Sequence, residues 1–533
     1  MRKEKEQFGF ENLPDCAADY IRLVIKKMRW RKKARKDVQA ELIAHFEDVL
    51  KDCKTIEEKE GTAKELISNF GDAKVLAVLA RRAKKRCQPM WVKILIHSLQ
   101  ILGIIILYIA ICAGYIGIGK PNISANYVEW LNDYVRGGRN ESLNSAPMIK
   151  KAAEISIDEP NWLKESNASW PSDFNEIQLK ELENWLAQNT EVLETLRNAL
   201  KKPYYWNIYD TNESDFIKGG PFGSLMKSLS KQRMLARAMN WQVRYSAYKN
   251  NTEDAINDAI SLCKFGHRMQ GNGLLIEQLV GIAIEAVGYS TIFDILDKTT
   301  LSAEHLEKMQ QFIQQEQDDT VIDIQAEKAC LYDFIQRNFT DDGKGGGRPI
   351  RQGIGFAGKN LPDLIFNILT FNLPSKKEII EKIDNIYDIY QRGFDVADMK
   401  NIEEQYNKTT QNESLLLQIL TPALGKVATL SWRAKTDGDG LIATLVILRY
   451  YKQTGKYPDN LEELLNKGFI KRIPFDAFRN GPLTYRKTDT SFILYSFGED
   501  FDDDGGAPSR WGTGKEGGDQ VFWPVVHPAK KCK

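Results

Sequence analysis

Hydrophobic and polar positions change rhythm repeatedly along this 533-residue chain. Residues 15–88 read as short amphipathic helices: Val38, Leu42, Phe46, Val49 and Leu50 recur at helical spacing, and Ala63, Leu66, Ile67 and Phe70 repeat the pattern. Gly71-Asp72 breaks it, and Val75 to Lys85 resumes it as a further helix. Polarity then all but vanishes. From Ile94 to Ile118 no residue carries a formal charge, and a helix of that length spans the hydrocarbon core of a bilayer, about 30 Å thick. His97, Ser98 and Gln100 would sit comfortably in a buried soluble helix, but globular core helices rarely stay uncharged for so long. A secretory signal would place its apolar stretch within about the first 30 residues, so the run at 91–119 predicts one transmembrane helix.

Beyond Pro121 the pattern is helical again, to about residue 435. Asn140 to Ala153 and Ile177 to Leu200 carry helical periodicity, and Met234 to Tyr248 followed by Thr252 to Cys263 predicts a helical hairpin turned at Asn250-Asn251, with Thr252 as cap. Leu274 to Leu296 is almost continuously apolar, yet Glu277, Glu285 and Asp294 interrupt it, which favours a buried core helix over a second span. Arg233, Arg237 and Arg244 are the candidate partners of the two glutamates. The glycine run Asp341 to Arg348 predicts a flexible loop; it is not a phosphate-binding loop, because Lys344 is not followed by Ser or Thr. Asp437-Gly-Asp-Gly440 reads as a turn capping a helix from Leu441 to Gln453. A short helix at Leu461–Lys467 and strands at Leu483–Lys487, Ser491–Phe497 and Val521–Val525 follow, with turn signals at Asn480-Gly481 and Thr488–Thr490. The expected fold is therefore mainly α: a helical bundle over 1–90, the span over 91–119, a large α-helical extracytoplasmic domain over 120–435, and a small α+β domain with an antiparallel sheet over 436–533.

Charge orients this arrangement. The net charge of +1 conceals an asymmetry: residues 1–93 hold 23 Lys and Arg against 15 Asp and Glu, and residues 94–533 hold 50 against 57. Arg81, Arg82, Lys84, Lys85, Arg86 and Lys93 precede the span and only Lys120 follows closely, so the positive-inside rule places the N-terminus in the cytoplasm. Such a segment suits membrane lipid with anionic headgroups. The run Arg29 to Lys36, with Trp30 among its cations, has the composition of a phosphate-contacting surface, but a juxtamembrane or solvated helix face accounts for it equally and no nucleic acid is expected. Cysteines at 16, 53, 87, 112, 263, 330 and 532 form no CxxC pair. The odd number beyond the span argues against a disulfide framework and leaves Cys263 and Cys330 as either a bridge or two buried thiols.

Two stretches resemble known families. Glu41 to Asp48, followed by Ala63 to Phe70, Gly71-Asp72 and Leu76-Ala77, resembles the helical HAAS-type adaptor domains that precede spans in bacterial membrane proteins, which implies an adaptor role and the bacterial inner membrane. Pro121 to Tyr127, Asn144 to Pro147 and Glu277 to Glu285 look like the outer region of large bacterial membrane proteins. Leu448 to Pro458, Ile473 to Asp476, Leu483 to Tyr485 and Leu494 to Asp500 resemble the soluble head of the type II secretion major pseudopilin. In pseudopilins the assembly helix runs directly into the head, whereas here the span lies far upstream, so a borrowed head is expected in place of a filament subunit.

Candidate chemistry is sparse. Asp500-Phe-Asp-Asp-Asp-Gly505 sets carboxylates at alternate positions before a glycine, as in the first half of a calcium loop. It is not an EF-hand, since position twelve would be Trp511. The pseudopilin resemblance implies that Asp500 and Asp519 bind calcium, giving Asp500, Asp502, Asp504 and Asp519 as the expected ligands of a structural calcium that pins residues 498–518 to the sheet; a solvated acidic loop is the alternative. His45, His97, His267, His305 and His527 show no zinc-hydrolase spacing, no GxSxG elbow exists, and no catalytic residue is expected. The expected function is a non-catalytic, membrane-anchored envelope scaffold or interaction protein with partners on both sides of the membrane. The alternatives are an envelope hydrolase with its site in the helical outer domain and an accessory subunit of a type II secretion-like apparatus.

Overall fold

The computed structural model of the chain describes residues 9–86, 90–117, 120–166, 168–209, 221–317, 322–341, 343, 347, 349, 374–395, 404–405, 408, 424–509 and 517–525. The protein is mainly helical with a small antiparallel sheet. It divides into two compact units, residues 1–111 and 112–533. Lys344, Trp511, His527 and Cys532 lie outside the described residues.

In the first unit, α1 (Asp15–Lys27), α2 (Lys32–Leu50), α3 (Ile56–Phe70) and α4 (Ala73–Arg86) enclose a core built on Ile21, Val24, Phe46, Leu50 and Ala63. The helix boundaries have local causes. Thr55 and Glu58 form a reciprocal capping box at the start of α3, satisfying backbone donors that the first turn leaves open. Gly71 ends α3 with φ +72°, a conformation that side-chain-bearing residues avoid, and its carbonyl accepts a hydrogen bond from the Tyr20 hydroxyl at 2.9 Å. The apolar run is a helix, α5 (Met90–Gly117).

In the second unit, α6 (Tyr127–Arg136), α7 (Ala146–Ile155), α8 (Asn161–Glu165), α9 (Glu176–Gln188), α10 (Thr190–Ala199) and α11 (Pro221–Tyr248) share one core cluster. The helical stretch expected over 177–200 is broken at Asn189, whose buried side chain accepts from the Ile157 N–H and donates to the Trp185 carbonyl. The stretch expected over 140–153 begins with one short 3-10 turn, Glu141–Leu143, before α7. The hairpin of α11 and α12 (Thr252–Arg268) turns where expected, at Asn250 with φ +64°, but Asn251 occupies the cap position and Thr252 is the first helical residue.

Next come α13 (Leu275–Lys298), α14 (Ala303–Gln317), α15 (Gln325–Asn338), α16 (Lys376–Asp395), α17 (Leu424–Thr454) and α18 (Leu461–Asn466). As the interrupted apolar pattern predicts, α13 is a core helix, buried on several sides. It lies antiparallel to α12 at glycine contacts: a Cβ on Gly266 would stand 2.2 Å from the Glu285 backbone nitrogen, and one on Gly288 would stand 2.6 Å from Cys263 Sγ. Cys263 and Cys330 are buried free thiols, so the bridge reading is set aside. In the glycine run, Asp341 pairs with Lys376 at 2.9 Å and the Gly347 carbonyl accepts the Lys376 N–H, which ties the described part of this loop to the start of α16.

The largest departure from the sequence reading is α17. Asp437-Gly-Asp-Gly440 is not a turn; the helix runs through it, and through the domain boundary expected at 435/436. The reason is the sheet packed on that side. A Cβ on Gly440 would stand 2.5 Å from the Phe522 ring, and Asp439 takes both Arg472 Nη atoms at 2.7 and 2.8 Å as well as the Phe475 N–H at 2.8 Å. The strands are β1 (Phe475–Asp476) paired with β2 (Gly481–Pro482), and β3 (Thr484–Lys487), β4 (Phe492–Ser496) and β5 (Gln520–Trp523) in the order β3-β4-β5, all antiparallel. Leu494, Phe492 and Phe522 of the sheet share a single core cluster with Ile292 and Ile295 of α13 and Leu445 of α17, so the sheet and the helices have a common interior.

This packing makes glycine size a stability determinant. Gly266→Ala forces the α12–α13 crossing apart and lowers stability by about 1–3 kcal/mol. Gly61→Ala, in α3 where an added Cβ meets nothing within 4 Å, raises the stability of its own unit by about 0.5–1 kcal/mol. Thermal unfolding of the two variants beside the wild type checks both signs.

Candidate functional site

The acidic residues that interrupt α13 each meet a different neighbourhood. Glu277, at the first turn, accepts hydrogen bonds from the Tyr209 hydroxyl, the Asn207 amide and the Leu274 N–H. Burial raises its carboxyl above the ordinary range, and those three donors pull it back. Glu285 accepts from Gln270 Nε2 at 2.6 Å and from the Tyr289 hydroxyl at 2.9 Å, with His267 Nδ1 at 3.6 Å. Asp294 pairs with Arg244 Nη2 at 2.6 Å. Two of the arginines expected to serve the glutamates are therefore used elsewhere: Arg244 holds Asp294, and Arg237 lies 3.5 Å from Glu159.

Between α11, α13, α17 and β5 lies a cavity of about 380 Å³. Its polar wall includes Arg244, Asp294, Tyr289, Arg433, Asp437 and Gln520, and its apolar wall includes Phe293 and Phe522, whose rings stack at 6.2 Å. The Arg244 guanidinium stands 5.3 Å from the centre of the Trp241 ring, and burial draws it below its ordinary range against the opposing pull of Asp294. Asp437 is half-buried, and its carboxyl borders the cavity. Burial pushes that carboxyl up to about 7; Arg433 works against the rise and Glu285 adds to it. Gln520 Nε2 donates to Asp437 Oδ1. Two atoms of these residues that are buried away from the cavity, Arg244 Nε and Gln520 Oε1, have no hydrogen-bond partner among the described residues.

Sequence reasoning missed Asp437 and Arg433 as site residues, because two glycines flanking Asp439 imitate a turn. The signal present was the apolar periodicity of Leu441 to Ile447, which extends backward through Val427, Ala428 and Trp432.

The expected calcium ligands lie in one loop and do different work there. Asp500 accepts the Gly518 N–H at 2.7 Å, and wholly buried Asp519 accepts from Gly506 N–H at 2.6 Å and Asp504 N–H at 3.3 Å. Asp502 and Asp504 are exposed, while Asp503, outside the expected set, accepts from the Tyr495 hydroxyl at 2.9 Å. Burial, followed by the charges of Asp503 and Asp504, raises the Asp519 carboxyl, and its two backbone donors lower it. The donor chemistry is that of a hard-cation site, but the loop as arranged is closed by its own backbone N–H groups, and among the described residues no three His, Cys, Asp or Glu side chains converge as a metal cage would. No protein-family model matches the chain, and no curated protein or solved structure matches it.

Asp437 makes stability depend on pH in a definite sense. An unfolded aspartate releases its proton near pH 3.9, roughly, whereas the folded carboxyl holds it to about 7. The native chain therefore carries the extra proton across that window, and this group's contribution is full below pH 4 or so and is lost as pH rises through 7, at up to about 1.4 kcal/mol per pH unit. Asp437→Asn lacks the dependence, so its unfolding midpoint relative to wild type rises between pH 5 and pH 8. A difference that stays flat across that range shows Asp437 to be ionised throughout.

Proposed function

We propose that this chain is a single-pass protein of the bacterial inner membrane that works by binding, with its first unit in the cytoplasm as an adaptor, α5 across the bilayer, and the larger unit with its pseudopilin-like sheet outside. The observation that carries this reading is α5. The window Ile94–Ile111 is long and apolar enough to cross a membrane, and none of it is buried. Ile94, Leu99, Ile101, Ile104 and Leu107 are each more than half exposed, a continuous apolar surface that water disfavours and lipid accepts. The cations Arg81, Arg82, Lys84 and Lys85 before it set the orientation and give the cytoplasmic face its affinity for anionic headgroups. Protein partners on both faces complete the reading. Nucleic acid is not part of it: Trp30, the aromatic residue of the basic run, already carries the Arg81 guanidinium 5.2 Å from its ring centre.

Calcium in the 500–519 loop belongs to the same proposal as a structural ion. Its support is the all-carboxylate donor set of Asp500, Asp502, Asp504 and Asp519 and the like-charge crowding around Asp519, which a divalent cation would relieve.

Reporter enzymes fused at the two termini report opposite faces of the membrane, and the intact chain stays with the membrane through an alkaline carbonate wash; both reporters active on one face would end the topology reading. Calcium at a hundredfold excess over its dissociation constant stabilises the full chain by about 2.7 kcal/mol relative to chelator. Because the sheet shares its core with α13 and α17, this measurement requires the whole outer unit. A midpoint that does not move with calcium removes the ion.

A further inference from the structure

We propose that α4 is an interfacial helix of the cytoplasmic leaflet: Val75, Val78 and Leu79 enter the boundary between headgroups and acyl chains, and the cations of α4 and of the run Arg29 to Lys33 engage anionic phosphate headgroups. The inference rests on the reading of α5 as a span and adds to it a second, lateral contact with the same membrane.

Helix α4 has two apolar faces, and the protein covers one of them. Ala73 and Ala77 are buried in the core of the first unit, with Leu76 and Ala80 packed against it. Val75, Val78 and Leu79 recur at i, i+3 and i+4 on the opposite side and are 57, 44 and 53% exposed. Arg82, one turn further on, continues that stripe and is also exposed. Apolar side chains scattered singly on a surface are ordinary, but three in one stripe form a patch that a partner or a membrane covers.

Charge selects the membrane. Six Lys and Arg and no Asp or Glu make up the ionisable residues of α4. A second basic segment lies beside it: the Arg81 guanidinium stands 5.2 Å from the centre of the Trp30 ring, and Arg29, Arg31, Lys32 and Lys33 around Trp30 are all exposed. Two basic runs remote in sequence thus meet along the second half of α4. Each cation close to an anionic leaflet strengthens binding by about fivefold, so their sum is large. Pairing of this face with a second copy of itself would set the same cations against one another, which disfavours that cover.

Chain length keeps this surface at the bilayer. Arg86 ends α4 and Met90 begins α5, so four peptide steps, at most about 15 Å, separate the two helices. Only about one helical turn, Met90 to Lys93, then precedes the apolar window at Ile94. A basic helix with an apolar stripe, tethered at headgroup depth, has the make-up of a helix that lies in the interface plane.

The test is hydrogen exchange of the full chain in lipid nanodiscs, made either of phosphatidylcholine alone or of phosphatidylcholine with about 30% phosphatidylglycerol. In the anionic discs the α4 amides exchange at least about fivefold more slowly than in the neutral discs, while α3 exchanges alike in both. The triple substitution Val75→Gln, Val78→Gln and Leu79→Gln, and the double substitution Lys74→Gln and Arg82→Gln, each cut the slowing to less than about twofold. All five positions are exposed, and unchanged exchange of α1 shows that each variant keeps its core. A chain that the discs do not retain overturns the span reading and this one together. A retained chain whose α4 exchanges equally in both lipids overturns this one alone, as does slowing that α3 shares or that persists in either folded variant.

Discussion

Where α12 and α13 cross, the two backbones come so close that three positions have no room for a methyl group. Gly266 faces the Glu285 backbone, Gly281 faces the Gly266 carbonyl with 2.7 Å to a hypothetical Cβ, and Gly288 faces Cys263. Small residues at these points let α13 sink into the unit until its apolar surface is covered from several sides. That depth creates the next constraint. Glu277, Glu285 and Asp294 go inside with the helix, and a buried carboxylate is tolerated only where donors surround it. Tyr209 and Asn207 on one segment, Gln270 at the end of α12, and Arg244 on α11 are those donors. The placement of three separate chain segments thus follows from one close helical contact.

A second close approach extends the same core into the sheet. Gly440 admits the Phe522 ring against α17, and Asp439 fixes the segment leading into β1 through Arg472 and the Phe475 N–H. Asp476 performs a similar task one step later, accepting from the Ser496 hydroxyl at 2.7 Å and the Phe497 N–H at 3.0 Å, which joins β1 to β4. Helix α17 therefore does not end where the sheet begins. It is the wall on which the sheet is assembled, and the cavity is the space left where Phe522, Asp437 and Arg244 meet without filling it.

Much of this was legible in the sequence because periodicity reports burial directly. The helical hairpin at Asn250, the core character of α13 with its three acids, and the strands β3, β4 and β5 all follow from apolar spacing and turn residues. What was not legible is where glycine and aspartate serve tertiary contact instead of local conformation. Asp437-Gly-Asp-Gly440 has the composition of a turn, and only the presence of Phe522 and Arg472 across the interface, residues remote in sequence, turns it into a helical docking face. The partner choice of Arg237 and Arg244 fails for the same reason: helical spacing says that two residues share a face, not which of several acids another helix will bring to it.

The contrast between α5 and α13 has a physical basis in those same acids. Both are long and apolar enough to cross a membrane, yet one is wholly uncovered and the other is 61% buried over its window. Transferring α13 to lipid would strip Glu277 of Tyr209 and Asn207, Glu285 of Gln270, and Asp294 of Arg244, and a lone ionised side chain at the centre of a bilayer costs about 2.5–3.5 kcal/mol even on the mildest scale. Three such losses outweigh what the apolar residues of α13 gain, because the protein interior already shelters them equally well. The uncharged window of α5 pays no comparable penalty in hydrocarbon, and the Ser98 hydroxyl is already satisfied by the Ile94 carbonyl at 2.9 Å within its own helix. Overall apolarity therefore does not separate α5 from α13; what separates them is whether the polar groups each carries can be satisfied without a neighbour.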